Sequence, residues 1–278
     1  MLRLLFFLPV IFFLFSCEEV YTEGDELFYQ ISEVDNTRCM EEILDGIWEE
    51  GEDNLYRLYD MYESDVPYCG IKNVISIVIN RSEQIMAGCY ILSNETEVSS
   101  AIYEYFMFNR DLTLSEIREL SMNPNYEGFE RLFYSTFSDR EMERQLKSNR
   151  EELHELLTNN QSDTLAIQRM KKHVTDSERK LSAQKLIEER LRVYATPAHI
   201  RFSYSSEGEK WKTVKRKIEL AYYQMRNYEC MRYFGETYLH LYERSQRKGK
   251  DLDKQKLESL KTMHPAIIID NDWSKRNK

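Results

Sequence analysis

The sequence predicts a mainly α fold, an irregular helical bundle held by two disulfides. Three observations point there. Gly (9) and Pro (5) are scarce in 278 residues, while Leu, Glu, Lys, Arg, Met and Gln, all good helix formers, recur. Four pairs carry the capping-box spacing that starts helices: Asn94 with Glu97, Thr113 with Glu116, Ser138 with Glu141, and Thr175 with Glu178. Finally, Trp211, Val214, Ile218, Ala221, Met225 and Tyr228 recur at alternating spacings of three and four, the seam of a packed helix.

The first element is an export signal. Thirteen residues from Leu4 to Ser16 are free of charge, too short for the roughly 20 that a membrane-spanning helix needs. Arg3 precedes the run and small Ser16 ends it, the order of a secretory signal. The mature chain then starts near Cys17. No later apolar run approaches the ~18 residues of a membrane span. Three regions follow: a signal peptide over 1–16, an acidic cysteine-containing helical region over 17–110, and a helical region over 111–278 able to share one domain with it.

The net charge of −10 is unevenly spread. Between Glu18 and Asp65 stand seventeen Asp and Glu against Arg38 and Arg57 alone. Such a block is a solvated face, a sink for the basic half of the chain, or an attractive surface for a cationic partner. Within it, Met40, Ile43, Leu44, Ile47 and Trp48 follow helical spacing, and Leu55, Leu58, Tyr59 and Tyr62 repeat it after a break at Gly51, giving one bent helix or a pair. After Pro67 and Gly70, the run Ile71 to Ile79 is rich in β-branched residues and suits a buried strand, but its neighbours read as helix and helix is preferred.

Further along, Met142, Leu146, Leu153 and Leu157 form one stripe of a charged helix that ends at Asn159 to Asp163. A helix from Asp163 towards His173 and another from Asp176 to Tyr194 follow. Arg201 to Gly208 alternates weakly and reads as an extended loop. The seam opened by Trp211 shifts after Cys230 to Met231, Tyr238, Leu241 and Tyr242, as a stutter or kink requires. Arg244 to Lys256 is polar and reads as exposed.

Apart from Cys17, four cysteines remain: Cys39, Cys69, Cys89 and Cys230. In an exported chain an even number suggests two disulfides, with three connectivities open. If all four pair, Cys230 ties the acidic region to the rest. Their spacing matches no zinc or CxxC redox pattern, and no cofactor is expected.

No nucleophile elbow, phosphate-binding glycine loop or HExxH is present, so a non-enzymatic role is expected. Glu151 with His154 supplies half of a bundle metal site, and no second Glu-x-x-His completes it. Glu236 and His240 stand at i, i+4. The basic run Lys210, Lys212, Lys215, Arg216 and Lys217 beside Trp211 reads as a solvated helix face, and no nucleic-acid partner is expected. The nineteen Tyr suit either a wet interface or an irregular core.

Two resemblances place these features. Leu14-Phe15-Ser16-Cys17 resembles the lipobox of bacterial lipoproteins, with bulky Phe15 a departure from its usual form. That resemblance implies a lipid on the Cys17 thiol, a membrane anchor and a cell-envelope location, periplasmic or surface-exposed. "LAYYQMRNYEC" (Leu220 to Cys230) and "ERLRVY" (Glu189 to Tyr194) are similar to segments of LprI-type lysozyme-inhibitor lipoproteins. The matching residues are Leu191, Tyr194, Tyr223, Arg226 and Cys230, with Arg192 where that family usually has Asn. This similarity implies a helical domain on the envelope that binds a protein, a cationic lysozyme among the candidates. The alternative is a structural scaffold or spacer lipoprotein.

Overall fold

The computed structural model describes residues 37–62, 74–107, 134–136, 138–159, 163–187, 191–194 and 198–272. In chain order they hold helix α1 (Thr37–Tyr62), strands β1 (Val74–Ile79), β2 (Ile85–Ala87) and β3 (Tyr90–Ile91), and helix α2 (Glu97–Met107). Strand β4 (Tyr134–Thr136), helices α3 (Asp139–Asn159) and α4 (Thr164–Gln184), and strands β5 (Arg192–Tyr194) and β6 (His199–Tyr204) follow. Helices α5 (Glu209–Phe234), α6 (Tyr238–Ser245) and α7 (Asp251–Met263) lead to strand β7 (Ile268–Asp272). The protein is mainly α, as expected, with 66 % of the described residues helical. Residues 37–43 belong to one compact unit and those from Leu44 onward to another.

The second unit contains a five-stranded sheet in the order β3-β2-β1-β6-β7, which the sequence reading did not anticipate. β1 runs antiparallel to β2 and parallel to β6, and β6 runs parallel to β7. The preferred helix over Ile71–Ile79 is therefore corrected to a strand over Val74–Ile79. Its burial alternates, with Ile75, Ile77 and Ile79 inward. Both faces carry β-branched residues, which hides the alternation from a sequence reading. The loop expected over Arg201 to Gly208 is likewise mostly strand β6, whose central place buries His199, Ile200, Phe202, Ser203 and Tyr204. A separate antiparallel pair, β4 with β5, occupies part of the helix expected to reach Tyr194.

Of the expected helix caps, one forms in full. Ser138 and Glu141 form a full capping box: the Ser138 N–H donates to the Glu141 carboxylate at 2.7 Å and the Glu141 N–H to the Ser138 hydroxyl at 3.3 Å. At α2 the geometry slips by one residue, since Glu97 accepts from the Ser93 N–H and Asn94 from the Thr96 N–H. Thr175 starts no helix. It lies inside an unbroken α4, its hydroxyl donating to the Lys171 carbonyl at 3.0 Å. Asp163 caps α4 through the Ala166 N–H.

α1 also runs through Gly51 without a break. A Cβ at Gly51 would stand 3.1 Å from Cδ1 of Ile268, so glycine here lets helix and strand approach closely. α5 buries the seam residues Val214, Ile218, Ala221 and Met225, and other faces besides, including Tyr222, Arg226 and Cys230. Its change of register after Cys230 is a helix end and not a stutter. Gly235 closes α5 in the left-handed region at φ 69°, and Thr237 then caps α6 by accepting from His240 N–H. The segment Arg244 to Lys256 is mostly exposed, as expected, with Ser245 and Asp253 buried; the Arg244 guanidinium bonds both Glu236 and Asp253.

The two expected disulfides are not supported, since among the described residues no two cysteines stand at bonding distance. Cys89 is an exposed free thiol in the turn between β2 and β3, and Cys230 is a buried free thiol on α5. Burial pushes the Cys230 thiol up to about 12, with Glu236 adding to the shift, so it stays protonated. Cys39 is half-buried on α1. Cys17, Cys69, the 1–16 leader, the Thr113–Glu116 pair and the side chains of Leu55, Leu58, Tyr59 and Tyr62 lie outside the described residues.

Candidate functional site

Helix spacing puts the apolar residues of α1 on one side and most of its carboxylates on the other. Asp45, Glu49, Glu52 and Asp53 fall within one angular sector at positions i, i+4, i+7 and i+8, and all are exposed. Asp45 accepts from Arg216 of α5 at 3.0 Å. Glu49, Glu52 and Asp53 face no cation among the described residues. An acidic stripe with unspent charge attracts cations over about a Debye length, roughly 8 Å at physiological salt.

The inner side of the same helix is clamped. Glu50 Oε1 accepts from Arg226 Nη2 at 2.7 Å and from Ala266 N–H at 3.1 Å. Arg226 donates further to the His264 carbonyl, from Nε at 3.1 Å and Nη2 at 2.9 Å. Asn54 Nδ2 donates to the Ala266 carbonyl at 2.7 Å. Tyr194 Oη hydrogen-bonds with His264 Nδ1 at 2.8 Å, and His264 Nε2 lies 3.3 Å from Glu229. Arg226, Glu229 and His264 are fully buried. The facing carboxylate of Glu50 raises the Arg226 pKa against the opposing pull of desolvation, so the guanidinium stays charged.

A second tie joins α1 to α5. Glu219, fully buried, accepts from Arg216 at 2.8 Å and faces Lys215 at 3.9 Å. Burial outweighs both cations and raises its carboxyl to about 7. The Lys215 ammonium sits 4.6 Å from the centre of the Trp48 ring, and Trp48 meets Phe202 of β6 edge-on. Rigid support of this kind keeps the outer carboxylates in a fixed pattern.

Another surface is the α3–α4 hairpin. Met142 and Leu146 are buried as predicted, but Leu157 is 41 % exposed and Leu165, near it in sequence across the turn, 46 %. Asn149 donates to Ser177 at 2.9 Å and Arg150 to Glu178 at 2.7 Å across the pair. An open groove of about 580 Å³ runs along α3. Glu151 and His154 line it, so the expected half-site is a surface pair on one helix.

Glu236 and His240 also meet, at 3.4 Å, but Glu236 is already engaged by Arg244 at 2.7 Å. No group of three or more His, Cys, Asp or Glu among the described residues is arranged to hold a metal, and no described helix is long and apolar enough to cross a membrane. Of the residues similar to the lysozyme-inhibitor segments, Leu191, Tyr223, Arg226 and Cys230 are core positions. The reading by motif missed Glu50 and His264. Spacing alone carried no signal for Arg226, since a residue one position after a seam Met lies about 100° around the helix and is as often exposed as buried. No protein-family model, curated protein or solved structure matches the chain.

Proposed function

We propose that this is a non-enzymatic, lipid-anchored protein of the bacterial cell envelope, held to a membrane through Cys17, that binds a cationic protein through the acidic face of α1. A lysozyme-like protein is the partner class to try first. One observation supports the reading: Glu49, Glu52 and Asp53 are exposed together and meet no cation among the described side chains, on a helix tied from behind by Arg226 to Glu50 and by its own Asn54 to the Ala266 carbonyl. Charge-led association of this kind is fast and salt-sensitive.

The test is calorimetric titration of the mature protein with a cationic lysozyme across a salt series, beside the triple variant Glu49→Lys, Glu52→Lys, Asp53→Lys. Affinity that falls with salt and drops by about tenfold or more in the variant supports the reading. Absence of binding at low salt, or equal binding by the variant, overturns the partner assignment.

A second reading is an envelope scaffold, favoured by the exposed leucines and open groove of the α3–α4 hairpin. A stoichiometric membrane complex that resists salt and is lost in Leu157→Glu, Leu165→Glu identifies that role instead.

A further inference from the structure

The acidic stripe of α1 begins at Asp45, and Asp45 is tied to a carboxyl that meets no water. Glu219 of α5 is fully buried, and its Oε2 accepts from Arg216 Nη1 at 2.8 Å. The same nitrogen donates to Asp45 Oδ1 at 3.0 Å. One guanidinium nitrogen therefore joins a dry carboxyl on α5 to an exposed carboxylate on α1.

The other oxygen of Glu219, Oε1, finds no hydrogen-bond donor among the described residues, and the Lys215 ammonium stands 3.9 Å from it. Lys215 is itself held against two indoles, 4.6 Å from the centre of Trp48 and 5.5 Å from that of Trp211. The charged groups acting on Glu219 are thus Arg216 and Lys215 of its own helix and Asp45 of α1. The two cations favour its anion. Burial, the largest influence, and the Asp45 charge favour the neutral acid, and the carboxyl ionises near 7.

The charge beside the stripe depends on this one proton. With Glu219 ionised, the charges of Asp45, Lys215, Arg216 and Glu219 cancel. With Glu219 protonated, the same group is left with one positive charge, and Arg216 spends itself on Asp45 alone.

We propose that the proton on Glu219 regulates the acidic face of α1, weakening its hold on a cationic partner when bound and strengthening it when released. This regulation rests on the cationic partner proposed for that face. Glu219 is a positioning residue: it acts through Arg216 and Asp45 and touches no ligand. Linkage makes the effect reciprocal, so a cation docked on α1 favours the ionised acid and expels a fraction of a proton at about pH 7.

The test is isothermal titration of the full chain at low salt with an N-acetylated, C-amidated hexa-arginine peptide, which has no group that titrates between about pH 5.5 and about pH 8. Glu219→Gln is neutral at both values and serves as the permanently uncharged form. Wild type should bind about two- to threefold more tightly than the variant at the higher pH, the effect in water of one charge roughly 6–10 Å from another. At the lower pH the two should bind equally and unfold at similar midpoints. A readout that needs no variant is the heat of wild-type binding at about pH 7 in phosphate and in Tris, which should differ as the released proton is taken up by each buffer. No peptide binding at either pH overturns the acidic-face reading and this regulation with it. Binding with equal affinity in wild type and Glu219→Gln at the higher pH overturns the regulation and leaves the acidic face standing. So does wild-type binding with no difference in heat between the two buffers.

Discussion

At the scale of single residues, buried charge decides the behaviour. Glu219 ionises near 4.5 as an ordinary carboxyl and near 7 in the fold. Between those values the folded state binds the proton more tightly, so this residue makes stability fall as pH rises from about 4.5 to about 7, with no further change above. The loss amounts to about 3 kcal/mol. Glu219→Gln should flatten that slope, read as urea midpoints across the same pH range. Arg226 behaves differently because its partners are fixed acceptors. Arg226→Met strands Glu50 and the His264 carbonyl and should cost about 3–5 kcal/mol in denaturant unfolding. Replacing Glu50 by Leu in the same chain should recover part of it, since two apolar groups need no partners. Of these residues, Arg226 entered the sequence reading only through the resemblance of Leu220 to Cys230, with nothing to mark it as buried. Glu219 was not legible either, because a Glu one residue past an Ile in a charged helix has the same sequence signature whether it faces water or α1.

Among elements, periodicity served where polar residues flank the apolar stripe and failed where apolar residues stand on both faces. The stripes of α1 and α5 were readable because polar residues flank them. The strand at Val74–Ile79 was not, since its two apolar faces erase the alternation that distinguishes strand from helix. Tertiary neighbours also overrode local signals: a box at Thr175 has the spacing of a helix start, yet α4 continues through it. Gly51 shows the same effect in α1. Alanine there gains up to about 1 kcal/mol of helix propensity, but its Cβ meets three side-chain atoms of Ile268 at 3.1, 3.2 and 3.3 Å. Overpacking of a core typically costs about 1–3 kcal/mol. Gly51→Ala should therefore lower the unfolding midpoint, and adding Ile268→Val, which removes the Cδ1 contact but keeps those of Cβ and Cγ1, should restore only part of it.

For the whole molecule, the acidic charge of the α1 region was legible from composition, but the separation into a clamped inner carboxylate and exposed outer ones, of which Asp45 meets Arg216, needed the fold. On the proposed anchoring, intact mass of protein purified from membranes should show a lipid-sized increment at Cys17, absent in Cys17→Ser; an unmodified mature N-terminus removes the anchor from the account. The same measurement after thiol alkylation without reduction should label exposed Cys89, with Cys230 reacting only on unfolding. The clamp has one more consequence. The groups that receive Arg226 and Asn54, namely the carbonyls of His264 and Ala266, and the strand that completes β6, all come from residues 264–272. They follow every other described element in the chain. A ribosome that still holds those residues therefore holds back the closing contacts of α1, more than 200 residues upstream.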